Sequence, residues 1–160
     1  LSYYPEKSSA LTNKKVIAVG KQSHQKGFDR LLRSWKMVQQ KHPDWTLEIY
    51  GKKDPSMQLE ALATELKIDD CVHFHNPEKD IVNNYLESSI YVLSSRFEGF
   101  GMVLIEAMAC GVPCVSFDCP FVPSDIIQHN QDGIIVENDN EIAFADAICT
   151  LIENEEVNMN

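Results

Sequence analysis

Short apolar runs alternate with amphipathic segments from residue 15 onward. Val16 to Val19, Trp45 to Tyr50, Cys71 to His75, Ile90 to Ser94, Pro113 to Phe117 and Gly133 to Val136 are too brief for buried helices and predict six strands. Between them, apolar positions recur at helical spacing. Phe28, Leu31, Leu32, Trp35 and Val38 form one stripe, and Met57, Leu59, Leu62 and Leu66 form another. Further helices are expected over about Glu78 to Ser88, after Glu98, near Ser124 to His129, and over Glu141 to Ile152. Strands alternating with helices predict an α/β fold, a doubly wound parallel six-stranded sheet of Rossmann-like type. Residues 1–14 are polar and aperiodic and read as a linker or edge segment, leaving 15–160 as one domain.

Ligands of such sheets bind beyond the carboxyl ends of the strands. Gly20-Lys21, Gly51, Asn76-Pro77 and Glu98-Gly99 all follow predicted strands, so one rim should gather these loops. The most informative stretch is E-G-F-G-M-V-L-I-E, from Glu98 to Glu106, leading into a short helix closed by Gly111 and Pro113. Gly99 and Gly101 bare the backbone where the helix begins, and free N–H groups with the positive dipole end suit a diphosphate. A carboxylate at either end would accept hydrogen bonds from hydroxyls. If wholly helical, the two glutamates would stand ~12 Å apart, the reach of a sugar-diphosphate-ribose.

This segment resembles the E-x(7)-E motif of retaining glycosyltransferases of GT-B architecture, in the group called family four. V-I-A-V-G-K at 16–21 with Lys26-Gly27 resembles that family's first strand and phosphate-binding element. A-M-A-C-G-V-P-C-V at 107–115, P-S-D-I-I at 123–127 and D-G-I-I-V at 132–136 continue the likeness in colinear order over about 14–155. The resemblance implies the C-terminal, donor-binding half of such an enzyme, with the N-terminal acceptor domain absent from this chain and the isolated domain inactive. It implies transfer of a hexosyl group, with retention, from a UDP- or GDP-linked sugar to a glycan, lipid or other acceptor held by the missing half, without metal or other cofactor. Catalytic roles fall on Glu98, Lys26 and Lys21. By the same likeness Glu106 binds ribose hydroxyls and Glu98 the donor sugar. Gly20, Lys21 and Lys26, with Gly99, Phe100 and the N–H groups near Gly101, Met102 and Val103, hold the diphosphate. His75 and Asn76 belong to the loop that meets the nucleobase. Family members usually carry Arg where Lys21 stands; Lys keeps the charge and loses the planar fork. The alternative is a non-catalytic nucleotide or sugar-phosphate binding module on the same scaffold. A sugar-nucleotide epimerase is weaker, since its carboxylate and histidine set is not found.

A net charge of −10 makes a nucleic-acid backbone a poor partner. An anionic donor must therefore be met by local positive charge. Five cysteines, at 71, 110, 114, 119 and 149, are odd in number and irregular in spacing, which argues for reduced, structural thiols over zinc held by Cys110, Cys114, Cys119 and His129. His24, His42, His73 and His129 are read as non-catalytic. No apolar run reaches the ~20 residues that cross a bilayer, and no signal-peptide pattern is present, so a cytoplasmic location is expected. Peripheral membrane contact would fall to the missing half.

Overall fold

A computed structural model describes residues 13–97, 110–119 and 133–158. Its strands are β1 (Lys15–Val19), β2 (Thr46–Tyr50), β3 (Val72–His75), β4 (Ile90–Leu93), β5 (Cys114–Asp118) and β6 (Gly133–Glu137). All pair in parallel in the order β3-β2-β1-β4-β5-β6. The helices are α1 (Phe28–Lys41), α2 (Leu59–Glu65), α3 (Ile81–Leu86) and α4 (Glu141–Asn158). The order reverses between β1 and β4, which places the switch point at the end of the first strand.

Side chains of a strand alternate between faces, and both faces here are covered. Val16, Ala18, Leu47, Ile49, Val92 and Val115 meet α1, α2 and α4. Ile17, Tyr91, Leu93 and Cys114 meet Tyr85 of α3, together with Cys110 and Val112. The whole predicted stripe of α1 is buried, and Phe144, Ile148 and Ile152 of α4 seal the same layer. Each large apolar side chain so buried contributes about 1.5–3 kcal/mol. All five cysteines are buried and none is in a disulfide.

Helix limits differ from the periodicity where local backbone chemistry intervenes. The Met57–Leu66 stripe is split. Pro55–Met57 forms one 3-10 turn, capped by the Asp54 side chain accepting from the Ser56 N–H, and Gln58 is left-handed (φ 53°) before α2 begins. Helix α3 is shorter than the Glu78 to Ser88 span. Helix α4 runs six residues past Ile152. The helices expected after Glu98 and near Ser124 lie outside the described residues.

The most consequential packing feature lies off the apolar stripe of α1. Arg30 is 1% exposed and its guanidinium is 4.1 Å from the ring centroid of Phe117, which stacks on Phe144. Nη2 donates to the carbonyls of Ser94 (2.6 Å) and Ser95 (2.7 Å), and Nη1 to Asn138 (2.8 Å) and Asp139 (2.6 Å). One buried cation thus ties the exit of β4 to the turn between β6 and α4. An Arg30→Met variant keeps the stem but strands two buried carbonyls, so urea unfolding should show a loss of about 3 kcal/mol. A loss within experimental error would show that these bonds only replace those to water.

Candidate functional site

Because the strands are parallel, Gly20, Gly51, Asn76 and Ser94 leave the sheet at one edge. The strand ends are joined there: Gly20 N–H donates to Tyr50 O (2.9 Å) and Gly51 N–H to His75 O (3.1 Å). Side chains are excluded by proximity. A Cβ at Gly51 would stand 1.8 Å from Gly20 O, and one at Gly20 would meet the Lys26 stem at 2.7 Å. Lys26 is thereby laid across the end of β1, with exposed Lys21 beside it. Gly27 is left-handed (φ 64°) and starts α1 without a side-chain cap; a Cβ there would fall 2.1 Å from Ser94 O. The first-turn N–H groups of α1 lack helical acceptors and carry the positive dipole end toward this edge.

The loop from 22 to 27 is fastened to the residues that leave β4. Arg96 N–H donates to Gln25 O (2.7 Å), Gln25 Nε2 to Phe97 O (3.1 Å) and Ser94 Oγ to Lys26 O (2.8 Å). The Arg96 guanidinium donates to His24 O (2.7 Å) and forks on Asp29 (3.0 and 2.9 Å). Burial alone would raise the Asp29 carboxyl, but the hydrogen bonds from Arg96 and its charge outweigh it and hold the group below its ordinary value. Asp29 also faces Arg33 (3.6 Å), which forks on Glu141 of α4. On the other flank Gln22 Oε1 accepts from Asp54 N–H (2.9 Å).

A cavity of about 280 Å³ opens between the ends of β1 and β2 and the start of α3, lined by Gly20, Lys21, Tyr50, Gly51, Pro77 and Glu78 among others. Two larger hollows flank α2, of about 380 and 500 Å³, but Glu60 lines both, with Asp69 in one and Asp54 in the other. Those walls disfavour an anion. His75 stacks on Tyr50 (centroids 4.3 Å apart, 12° between planes), and its Nε2 meets Glu48 Oε1 at 2.7 Å. His73 Nδ1 holds the other oxygen, also at 2.7 Å. Burial pushes the Glu48 carboxyl up; hydrogen bonds from His75, His73 and Thr46 more than offset that and leave it below 4.5. The His75 ring is thus engaged inward, and the 75–78 loop offers the cavity chiefly Pro77 and Glu78.

Of the residues picked out from the sequence, Gly20, Lys21, Lys26, His75 and Asn76 lie on this rim. Glu98, Gly99, Phe100, Gly101, Met102, Val103 and Glu106 lie outside the described residues, as does His129. Phe97, the neighbour of Glu98 in the chain, is bonded to Gln25 in the lysine loop. Sequence reasoning missed Arg30, Arg96 and Asp29. Arg96 alone left a visible signal, a basic residue one step before the aromatic of F-E-G-F-G. His42, read as non-catalytic, pairs with Glu153 (3.0 Å). With Cys149 these two form the His/Cys/Glu group, among the described residues, whose ligand atoms lie within 4.8 Å of one another. No helix among the described residues is long and apolar enough to cross a membrane.

The family model described as "Glycosyl transferases group 1" matches residues 4–160. An uncharacterized glycosyltransferase of Haemophilus influenzae is 38% identical over 151 residues, covering 94% of this chain and 43% of that protein. The amylovoran biosynthesis glycosyltransferase AmsD of Erwinia amylovora is 33% identical over 146 residues, 91% of this chain and 40% of its own. The chain therefore spans about two fifths of the length of these relatives. Among solved structures, S. aureus TarM in complex with fondaparinux, alpha-GlcNAc-glycerol and UDP superposes with a TM-score of 0.88 at 26% identity, over 96% of this chain and 31% of that one.

Two outcomes test the rim. Gly27→Ala forces a side chain into the left-handed region against a backbone carbonyl and should cost about 2 kcal/mol or more in chemical unfolding. Glu48 has its carboxyl lowered in the fold, so its contribution is fully present above 4.5 and is lost as pH falls through the folded value. Glu48→Gln should therefore be less stable than wild type at neutral pH, with the gap closing as acid protonates the Glu48 carboxyl. A gap independent of pH would mean that the histidines do not favour the ionised form.

Proposed function

The chain belongs to the glycosyl transferases group 1 family, and on that premise we propose that its rim binds the nucleoside diphosphate part of a sugar donor for retaining transfer to a glycan acceptor. The observation that carries this reading is the joining of the Lys26 loop to the residues that run directly into Glu98. The lysine loop is thereby bonded to Phe97, the residue that precedes the segment assigned from sequence to the same diphosphate. UDP is the favoured nucleotide, because the similar TarM structure holds it.

In this reading the nucleobase enters the cavity beside Tyr50 and Pro77, and the diphosphate lies over Gly20 toward the start of α1. Lys21 and Lys26 supply the positive charge. As the bond from the anomeric carbon to the diphosphate oxygen breaks, negative charge grows on the leaving group. Lysines and N–H groups already aimed at it stabilise that charge without reorganising solvent. Glu106 is assigned to the ribose hydroxyls and Glu98 to the transferred sugar. The acceptor is assigned to a part of the enzyme outside this chain, which accords with the length of the relatives.

Calorimetric titration with UDP, GDP and their sugar conjugates tests the assignment. Glu106→Ala should weaken UDP and the UDP-sugar alike, by about 1.5–3 kcal/mol. Glu98→Ala should spare UDP and lower only the preference for the sugar conjugate. Equal losses for Glu98→Ala with both ligands would reverse the proposed orientation of the donor. Lys26→Ala should weaken every diphosphate while leaving uridine unchanged; an equal loss with uridine would remove Lys26 from the diphosphate site.

A further inference from the structure

Lys26 can serve a diphosphate only if its loop keeps one register against the strand ends, and that loop is neither helix nor strand. Its internal bonds are few. Gly27 N–H reaches His24 O at 3.2 Å, and Lys26 N–H reaches Ser23 Oγ at 3.4 Å, both long. Gln22 is anchored to Lys52 O and Asp54 N–H, each at 2.9 Å, and the short bonds of residues 24–26 run to the residues after β4. Arg96 makes most of them, through its N–H to Gln25 O and its guanidinium to His24 O and both oxygens of Asp29. It grips the loop at 24 and 25 and the first turn of α1 at 29, so Lys26 and Gly27 are suspended between two points held by one side chain.

We propose that Arg96 is a positioning residue for donor binding: forked on Asp29 and bonded to the backbone at His24 and Gln25, it fixes the loop that carries Lys26 against the exit of β4. Arg96 touches no reacting atom in this scheme and acts through Lys26. A forked guanidinium suits the task, because two parallel bonds to one carboxylate set direction as well as distance. Lysine would keep the charge and lose the direction. Arg96 and Asp29 are partly covered, at 22% and 27% exposed, but the pair ties a loop to the first turn of α1 and not one core element to another, so it governs local opening more than global stability. Loss of the pair should therefore show in ligand affinity well before it shows in unfolding. The role of the lysine loop rests on the donor-binding reading; the clasp itself does not.

The test compares wild type, Arg96→Met, Arg96→Lys and Asp29→Asn by three measurements: UDP affinity by calorimetry, amide hydrogen exchange, and urea unfolding. Arg96→Met should weaken UDP about tenfold and speed exchange of the amides at Arg96 and Gly27, with amides of the β1 and β2 ladder unchanged. Arg96→Lys should recover only part of the affinity, and Asp29→Asn should fall between. Unchanged loop exchange and unchanged UDP affinity in Arg96→Met would overturn the proposal. So would losses that track global unfolding across all variants. Should Arg96→Met fail to fold, Gln25→Ala removes only the bond to Phe97 O and is read by the same exchange at Arg96; no acceleration there would also overturn it. A wild type that binds neither UDP nor GDP would overturn the donor reading and the functional half of this proposal, while loop exchange still decides whether the clasp exists.

Discussion

The rim depends on one buried cation, held against β5 and the exit of β4. Arg30 sits under the first turn of α1 with its guanidinium on the face of Phe117, and its four acceptors come from two separate exits of the sheet. A buried charge is tolerated only when hydrogen bonds replace its lost hydration. Here two of the replacing acceptors are main-chain oxygens at the exit of β4 and two are side-chain oxygens of the turn after β6. The demand of one side chain for acceptors thus becomes a restraint on where β4 and β6 deliver the chain, and Gly27 follows from it: with Ser94 O drawn in under the helix, no side chain fits above.

Electrostatics on the rim run against the charge of the whole. At −10 net, the protein repels a nucleotide at long range, and screening over about 10 Å at ordinary salt limits that repulsion. What matters for a diphosphate is the first few ångströms, where Lys21, Lys26 and the start of α1 stand together. The two hollows beside α2 have the opposite bias through Glu60, Asp54 and Asp69. Volume alone would favour them; charge favours the smaller cavity by the lysines.

Six strands were legible as short apolar runs, most plainly in β1, β4 and β5, whose inner residues are buried on both faces. Gly20, Lys21 and Lys26 were legible because glycine and lysine after a strand are cheap to recognise and costly to place without a reason. Arg30 was not, since a basic residue off the apolar stripe of α1 reads as solvent-facing, and its acceptors come from the exit of β4 and the Asn138-Asp139 turn, far away in sequence. Glu48 was hidden for a related reason. An acid inside a strand reads as a solvent-facing position, and its two histidine partners come from a strand 25 and 27 residues later. The splitting of the Met57–Leu66 stripe was lost to a turn whose chemistry lies in Asp54 and Pro55, outside the hydrophobic pattern.

The bonds that fasten the lysine loop to the exit of β4 end almost wholly on carbonyl oxygens, at His24, Gln25, Lys26 and Phe97. A carbonyl is the same whatever side chain it belongs to. The shape of the loop is therefore uncoupled from the identity of residues 24 and 26, and its charge can be rewritten with the backbone path held constant. An enzyme engineer could exchange Lys26 for arginine or glutamine, whose stems can still lie over Gly20, to retune preference among phosphorylated ligands without asking the main-chain bonds of the loop to change.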